Sequence, residues 1–428
     1  MVQVTHTHEH AHGKHTHVRR AHERLGNGGR TAVPAWLRVA LALFTIAFGA
    51  NVFAPMLPVY KQLNGLSESN LTLIFALYVA GLVPALLIGG PLSDRIGRRA
   101  LIRPALLCSV AASTTLMIGG ALWLTIGRFI AGAAIGLVMA AGAAWLKQLS
   151  PDNGASQATI ALSAGFGGGP LIGGLVAQWL PHPGIIPFAL HLTILAIVTP
   201  LAWNTPEPGL TTATQTATPT NATSSPTQNT PQQRRPLLPR AALRPRFLLA
   251  VAAWAPWGFG TATTSFLVLT HLSAHNTPAP IAYTGAIGAI TMLTGASIQP
   301  AIKRYSAPHT SSRSAILGLA TATAGLAIGI GVAHTHTPWL TIPAALLLGS
   351  SYGIMMVSGL KEVETIAPPH ELGALIAVFY SLTYIGFFAP YALSILGPRL
   401  GYAQCLGFGI IVTLLSIPLV ARAVRYPA

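Results

Sequence analysis

The chain of 428 residues is 52% hydrophobic and only 8% charged, with 25 Lys and Arg against 9 Asp and Glu, a formal charge of +16. Soluble domains carry about 25% charged residues, so this composition excludes an ordinary soluble enzyme and a disordered scaffold and points to a polytopic membrane protein. On a soluble chain the basic excess would suggest nucleic acid; on this one its meaning depends on where the charges sit relative to a membrane.

The first 35 residues are polar and lack the apolar core of a secretory signal. They hold His6, His8, His10, His12, His15, His17 and His22. Spaced imidazoles bind Zn²⁺, Ni²⁺ or Cu²⁺ in a peptide, but no Cys or pair of acids completes a rigid site, and no metal is assigned. Beyond the tail, apolar stretches of about 20 residues, the length that crosses ~30 Å of hydrocarbon, fall at 36–59, 71–92, 100–119, 121–146, 156–179 and 184–203. Six more fall at 247–270, 282–302, 314–333, 339–359, 372–396 and 402–421. Short connections make neighbouring helices antiparallel. Between the two sets lies 204–246, rich in Thr, Pro, Gln and Asn, with almost nothing to bury; it reads as a disordered linker. Cys108 and Cys405 lie in apolar runs, so no disulfide framework is implied.

The expected organisation is a tail (1–35), six spans (36–203), a linker (204–246) and six spans (247–424). With the N-terminus inside, 22 of the 25 basic residues face the cytoplasm. Lys61 and Arg399 are outside, and Arg128 is within a span. The positive-inside rule favours this arrangement and supports an even span count, with both termini cytoplasmic. Asn221 fits a glycosylation sequon but then lies on the wrong side of the membrane.

After span two the chain reads Gly90-Pro-Leu-Ser-Asp94-Arg95-Ile-Gly97-Arg98-Arg99. Gly90 would let two helices pack closely. Asp94 could accept from Arg98 or face a helix N-terminus, and Gly97 allows a tight turn. Span four reads Leu124-x-x-x-Arg128-x-x-Ala131-Gly132, with an arginine about two turns inside the membrane, where it should face a cavity or a partner or snorkel as a structural charge. Span five reads Gly165-Phe-Gly-Gly-Gly169-Pro170-Leu-Ile-Gly173-Gly174. Its small residues admit a neighbouring backbone and its proline bends the helix.

These three runs resemble the signatures of the major facilitator superfamily: the loop between helices two and three, the Leu-x-x-x-Arg-x-x-Gln-Gly run (with Ala131 where Gln is usual) and the Gly-x-x-x-Gly-Pro-x-x-Gly-Gly run of its antiporter, or exporter, branch. The resemblance implies an all-α polytopic membrane protein. Twelve transmembrane helices would form two six-helix bundles related by a pseudo-twofold axis and rock around a central site. It also implies that the loop at Asp94 latches the cytoplasmic side while the carrier faces outward, and that Arg128 handles protons or substrate.

All nine carboxylates fall outside the membrane midplane. Proton-driven carriers commonly titrate an intramembrane acid, and Asn51 is the nearest polar group to where drug exporters often carry one in span one. Coupling to protons is therefore left open. His191 in span six is the titratable candidate, against the reading that it is a hydrogen-bonded structural histidine. Asn51, Tyr78, Trp254, Trp257, Tyr380 and Tyr384 are candidates to line a cavity for an amphipathic solute, cationic ones included. His334-Thr335-His336 repeats the tail's pattern on the opposite face.

The sequence is thus read as a secondary active transporter of a bacterial-type cytoplasmic membrane, exporting small amphipathic molecules, with a small-molecule substrate and the lipid bilayer as partners. It is expected to be a monomer and to use no cofactor and no nucleic acid. The alternatives are a nutrient importer or facilitator, and a metal-linked carrier using the His-rich tail. No nucleophile, base and orienting group assemble into an enzyme site.

Overall fold

A computed structural model describes residues 33–207, 239–305, 311–368 and 371–423. The histidine-rich tail, the centre of the linker with Asn221, and Arg425 lie outside the described residues. Among the described residues the regular structure is helical.

Eleven helices are long and apolar enough to cross a bilayer. They are α1 (Ala35–Asn64), α2 (Glu68–Ile96), α3 (Arg99–Ile118), α4 (Gly120–Leu149), α5 (Gly154–Trp179) and α6 (Ile186–Trp203) in the first half. In the second half they are α8 (Pro280–Arg304), α9 (Ser312–Thr335), α10 (Pro338–Ile366), α11 (Leu372–Leu400) and α12 (Tyr402–Ala423). The seventh crossing, α7, is segmented into Pro245–Phe247, Leu248–Ala252, Trp257–Thr263, Thr264–Leu269 and Thr270–Ser273, two of them π-helical. With α7 the twelve expected crossings are accounted for.

The break in α7 has a local cause. Pro256 has no N–H to give the preceding turn, and wider π turns absorb the lost register. The segment that follows places Thr261, Thr263, Thr264 and Ser265 in buried positions. The hydroxyls of Thr261, Thr263 and Ser265 find partners inside the protein. Thr263 donates to the carbonyls of Phe259 and Gly386, and Ser265 and Thr291 share a hydrogen bond of 2.9 Å. Gly386 lies at a matching break in α11, where Ile385–Phe388 tightens to a 3₁₀ turn. A β-carbon on Gly386 would stand 2.3 Å from the Gly260 nitrogen, so the two broken helices cross backbone to backbone.

Helix α2 begins with Ser67 as its cap, whose hydroxyl accepts from the Asn70 N–H, and Glu68 in its first turn complements the helix dipole. It ends at Gly97, whose φ of +96° is a conformation that favours glycine, as the motif required. The expected role of Gly90 is different in the structure. A β-carbon there would meet nothing within 4 Å, whereas one on Gly89 would lie 2.8 Å from the Ala140 β-carbon. Close packing of α2 on α4 is therefore served by the preceding glycine.

The face of the protein that carries the 90–99 loop is strongly basic. The ends of α1, α2, α5, α7, α8 and α11 that lie away from it form the far face.

Candidate functional site

The span-five signature divides its work between two neighbours. Gly165, Gly169 and Gly173 face α1: β-carbons there would stand 2.5 Å from the Phe44 carbonyl oxygen, 2.4 Å from that of Phe48 and 3.1 Å from a Val52 methyl. Pro170 and Gly174 face α8 in the other half. A β-carbon on Gly285 would stand 2.3 Å from the Pro170 carbonyl oxygen, and one on Gly174 3.0 Å from the Gly285 α-carbon. Such contacts admit no side chain, so this pair of helices is a close-packed seam between the halves. Gln178 extends the seam, its Oε1 accepting from the N–H of Ile281 at 2.9 Å, at the start of α8.

Arg128 is 1% exposed. Its Nη1 donates to the Ala50 carbonyl at 2.8 Å and its Nη2 to the Phe75 carbonyl at 3.1 Å, tying α4 to α1 and α2. The guanidinium lies over three rings, at 4.8 Å from Phe53, 5.0 Å from Phe75 and 4.5 Å from Tyr78. Among the described residues no carboxylate pairs with it, and its Nε has no hydrogen-bond partner. Aromatic quadrupoles and backbone dipoles thus stand in for a counter-ion.

The rings beneath Arg128 belong to a cluster that bridges the halves. Phe387 of α11 stacks on Phe75 at 5.2 Å and on Tyr78 at 5.5 Å. Phe387 also meets Phe259, and Phe259 stacks on Tyr384 at 4.6 Å. The Tyr384 hydroxyl donates to the sulfur of Met139 in α4 at 3.1 Å. Thr72 and Ser394 share a hydrogen bond of 3.0 Å at the far-face edge of the same interface. Of the sequence candidates, Tyr78 and Tyr384 therefore come together with Arg128. Asn51 is partly exposed nearby in α1 and donates to its own helix at Ala47. Tyr380 is partly exposed one turn before Tyr384.

The two candidate tryptophans make other contacts. Trp254 is fully buried, with its indole N–H given to Ala250 of its own helix and its ring against Gly359. Trp257 is partly exposed and lies against Gly409 of α12. Neither side chain joins the aromatic cluster. His191 is 1% exposed, with Nδ1 2.7 Å from the Ser113 hydroxyl and Nε2 3.0 Å from the Thr45 carbonyl. A carbonyl can only accept, so Nε2 carries the proton and Nδ1 accepts from Ser113. Both nitrogens of a neutral ring are satisfied within the first half, which is the geometry of the structural histidine rather than of an exposed proton carrier. Phe75, Phe259, Phe266, Phe387 and Met139 were not singled out from sequence.

On the basic face, Asp94 accepts from Arg98 Nη2 at 2.8 Å. The start of the linker straps this loop. Glu207 accepts from the N–H of Arg98 at 2.6 Å and of Arg99 at 3.2 Å, capping α3. The Trp203 carbonyl accepts from Arg99 and Arg103, and the Trp145 indole donates to Pro206. The end of the linker meets the other half, where Glu371 accepts from the Ala241 N–H and Arg246 pairs with Glu362 at 2.7 Å. Each of these basic-face pairs stays within one half, while Thr72–Ser394 and the Pro170–Gly285 contact join the halves toward the far face.

The Major Facilitator Superfamily model matches residues 39–390. The quinolone resistance protein NorA of Staphylococcus aureus (strain Mu50) is 29% identical over 161 residues, 36% of this chain and 41% of that protein. The inner membrane transport protein YnfM of Escherichia coli (strain K12) is 32% identical over 126 residues, 28% of this chain and 30% of that protein. The chain thus spans about two-fifths or less of the curated relatives it matches. Among solved structures, a POT peptide transporter superposes with a TM-score of 0.70 at 14% identity, covering 93% of this chain and 97% of that one. A D-xylose–proton symporter superposes with a TM-score of 0.67 at 14% identity, covering 92% and 97%. The similarity to both structures is one of fold. The signatures, the helical crossings and the family match agree, and the chain belongs to the major facilitator superfamily, as a multi-pass membrane protein.

Proposed function

We propose that the protein is an exporter of small amphipathic molecules in a bacterial-type cytoplasmic membrane, with the basic face and both termini in the cytoplasm. The observation that carries this reading is the seam of Pro170 and Gly174 against Gly285, because it gives the exporter-type signature of span five a physical task. The seam brings the halves into contact toward the far face. In the proposed cycle this conformation loads solute from the cytoplasm, and the 90–99 loop, here paired within its own half, engages the other half when the carrier turns outward. The partial similarity to NorA agrees with export.

In this reading solute meets Tyr78, Phe387 and Tyr384, the cluster that must separate for release. With Arg128 beneath those rings and, among the described residues, no carboxylate paired with it, the interior favours a neutral or carboxylate-bearing amphiphile over a bare cation. The placing of every carboxylate of the spans near a helix end, away from the midplane, favours as second reading a facilitator that needs no proton gradient. Accumulation of a panel of dyes and quinolones in cells with and without the protein tests export. Lower accumulation of any member is expected. Collapse of the proton gradient then separates the two readings, since it abolishes coupled export and leaves a facilitator working.

A further inference from the structure

The ring of Phe387 covers two rings of the other half at once. It lies nearly parallel to Phe75, at 10°, and to Tyr78, at 22°. Phe75 and Tyr78 stand about one turn apart on α2 and Phe387 belongs to α11, so parting the halves bares both faces. On its own side of the interface the ring meets Phe259 at 5.1 Å and Tyr384 at 5.5 Å. Of the stacked rings in the cluster Phe387 is the most exposed, at 9%, and part of it borders open space.

The backbone that carries Phe387 is weak for a reason visible in the chain. In an α-helix the Gly386 carbonyl would accept from the N–H four residues on. That residue is Pro390, which has none, and its ring crowds the same carbonyl. Ile385–Phe388 tightens to a 3₁₀ turn, and the Gly386 carbonyl accepts from the Thr263 hydroxyl of α7 at 3.2 Å instead. Phe387 thus follows a residue held by another helix rather than by its own ladder, and a small bend there swings the ring away from α2.

Arg128 sets what can take the place of that ring. Its guanidinium lies over the same two rings, 5.0 Å from Phe75 and 4.5 Å from Tyr78. A ring whose quadrupole already faces a cation attracts a second cation less and an electron-rich ring more.

We propose that Phe387 is a built-in placeholder. It fills the stacking place on Phe75 and Tyr78 that an aromatic ring of the solute takes on binding, and the preferred solute ring is electron-rich, neutral or carboxylate-bearing rather than cationic. The inference rests on the proposed placing of solute at this cluster and not on the direction of transport. A placeholder and an ordinary contact respond oppositely to truncation. Removing a contact weakens binding. Removing a placeholder strengthens it, because the bare rings no longer have to be vacated first.

The test uses the full-length protein in lipid nanodiscs, with two probes of similar size, methoxynaphthoate and naphthylmethylammonium. Binding is read by isothermal titration calorimetry, and the signal of protein-free nanodiscs is subtracted. The parent should bind the ammonium probe more weakly than the carboxylate probe. Phe387→Ala should bind methoxynaphthoate about tenfold more tightly than the parent, the order of the aromatic pairs that no longer compete. Ser394→Ala loosens the same interface at Thr72 without baring the rings, and should bind as the parent does. Phe387→Leu should fall between parent and Phe387→Ala, which keeps the test decisive if the alanine variant fails to fold by circular dichroism. Phe75→Leu should weaken binding several-fold, since it removes a stacking face of similar bulk. Unchanged or weaker binding in the Phe387 variants, equal tightening in Ser394→Ala, or a preference for the ammonium probe would overturn the placeholder while leaving solute at the cluster. Binding that ignores Phe75→Leu would overturn that placing, and the placeholder with it.

Discussion

Pro170 and Gly285 meet with no side chain between them, the carbonyl of one standing 2.3 Å from where a β-carbon on the other would be. The contact joins α5 to α8 and hence one half of the transporter to the other. In a bilayer such backbone approach supplies the packing that water would otherwise drive. Gly285→Val should force the helices apart at a cost of roughly 1–3 kcal/mol in a well-packed interface. Transport should fall at least about tenfold, the equivalent of 1.4 kcal/mol on a populated state. Gly407→Ala, where a β-carbon meets nothing within 4 Å, should transport like the parent. Efflux rates at matched expression check both.

Arg128→Lys should be nearly as damaging to transport as Arg128→Met. Lysine keeps the charge, but one ammonium cannot donate to carbonyls on two helices while lying flat on three rings. Each carbonyl left without a donor costs about 1–3 kcal/mol. A lower melting temperature for both variants, with transport lost in both, is the expected outcome. Full transport by Arg128→Lys would mean that charge alone matters there.

His191→Ala should destabilise the protein without altering the pH profile of transport. The substitution leaves a cavity against Gly49 and removes the partner of Ser113 and of the Thr45 carbonyl, a loss of roughly 2–4 kcal/mol. Thermal denaturation in detergent measures the first effect, and transport between about pH 6 and about pH 8, spanning the imidazole range, measures the second. A moved pH optimum would return His191 to the coupling machinery.

Glu207→Ala should loosen the 90–99 loop. The carboxylate caps the start of α3 through two N–H groups, and loss of a helix cap costs about 1 kcal/mol. Glu207→Gln keeps one acceptor oxygen and should lose less. Amide hydrogen exchange at Arg98 and Arg99 reads the effect directly, with faster exchange expected in the alanine variant.

The twelve crossings were legible because about 20 apolar residues in a row have few other uses, and the loop and span-five signatures because their glycines and prolines answer local backbone needs. What stayed hidden depends on which way a helix is turned. Trp254 and Tyr384 both read as aromatic residues of a span, yet one is core and the other meets Met139 across the interface. Gly89 and Gly90 are neighbours in sequence, and only the rotation of α2 decides which of them faces α4. Phe75 and Phe387 are brought together by the packing of the two halves, which no local pattern encodes. The segmentation of α7 follows from Pro256, visible in the sequence, but its π turns depend on the meeting with Gly386.

Export itself is tested most directly in inside-out membrane vesicles, where the proposed cytoplasmic face meets the medium. Uptake of a fluorescent quinolone and of a neutral amphiphilic dye is measured with the parent protein and with Gly285→Val. At least one compound is expected to enter parent vesicles several-fold faster than variant vesicles. Equal uptake for every compound tried, or stimulated uptake in right-side-out vesicles alone, would contradict export.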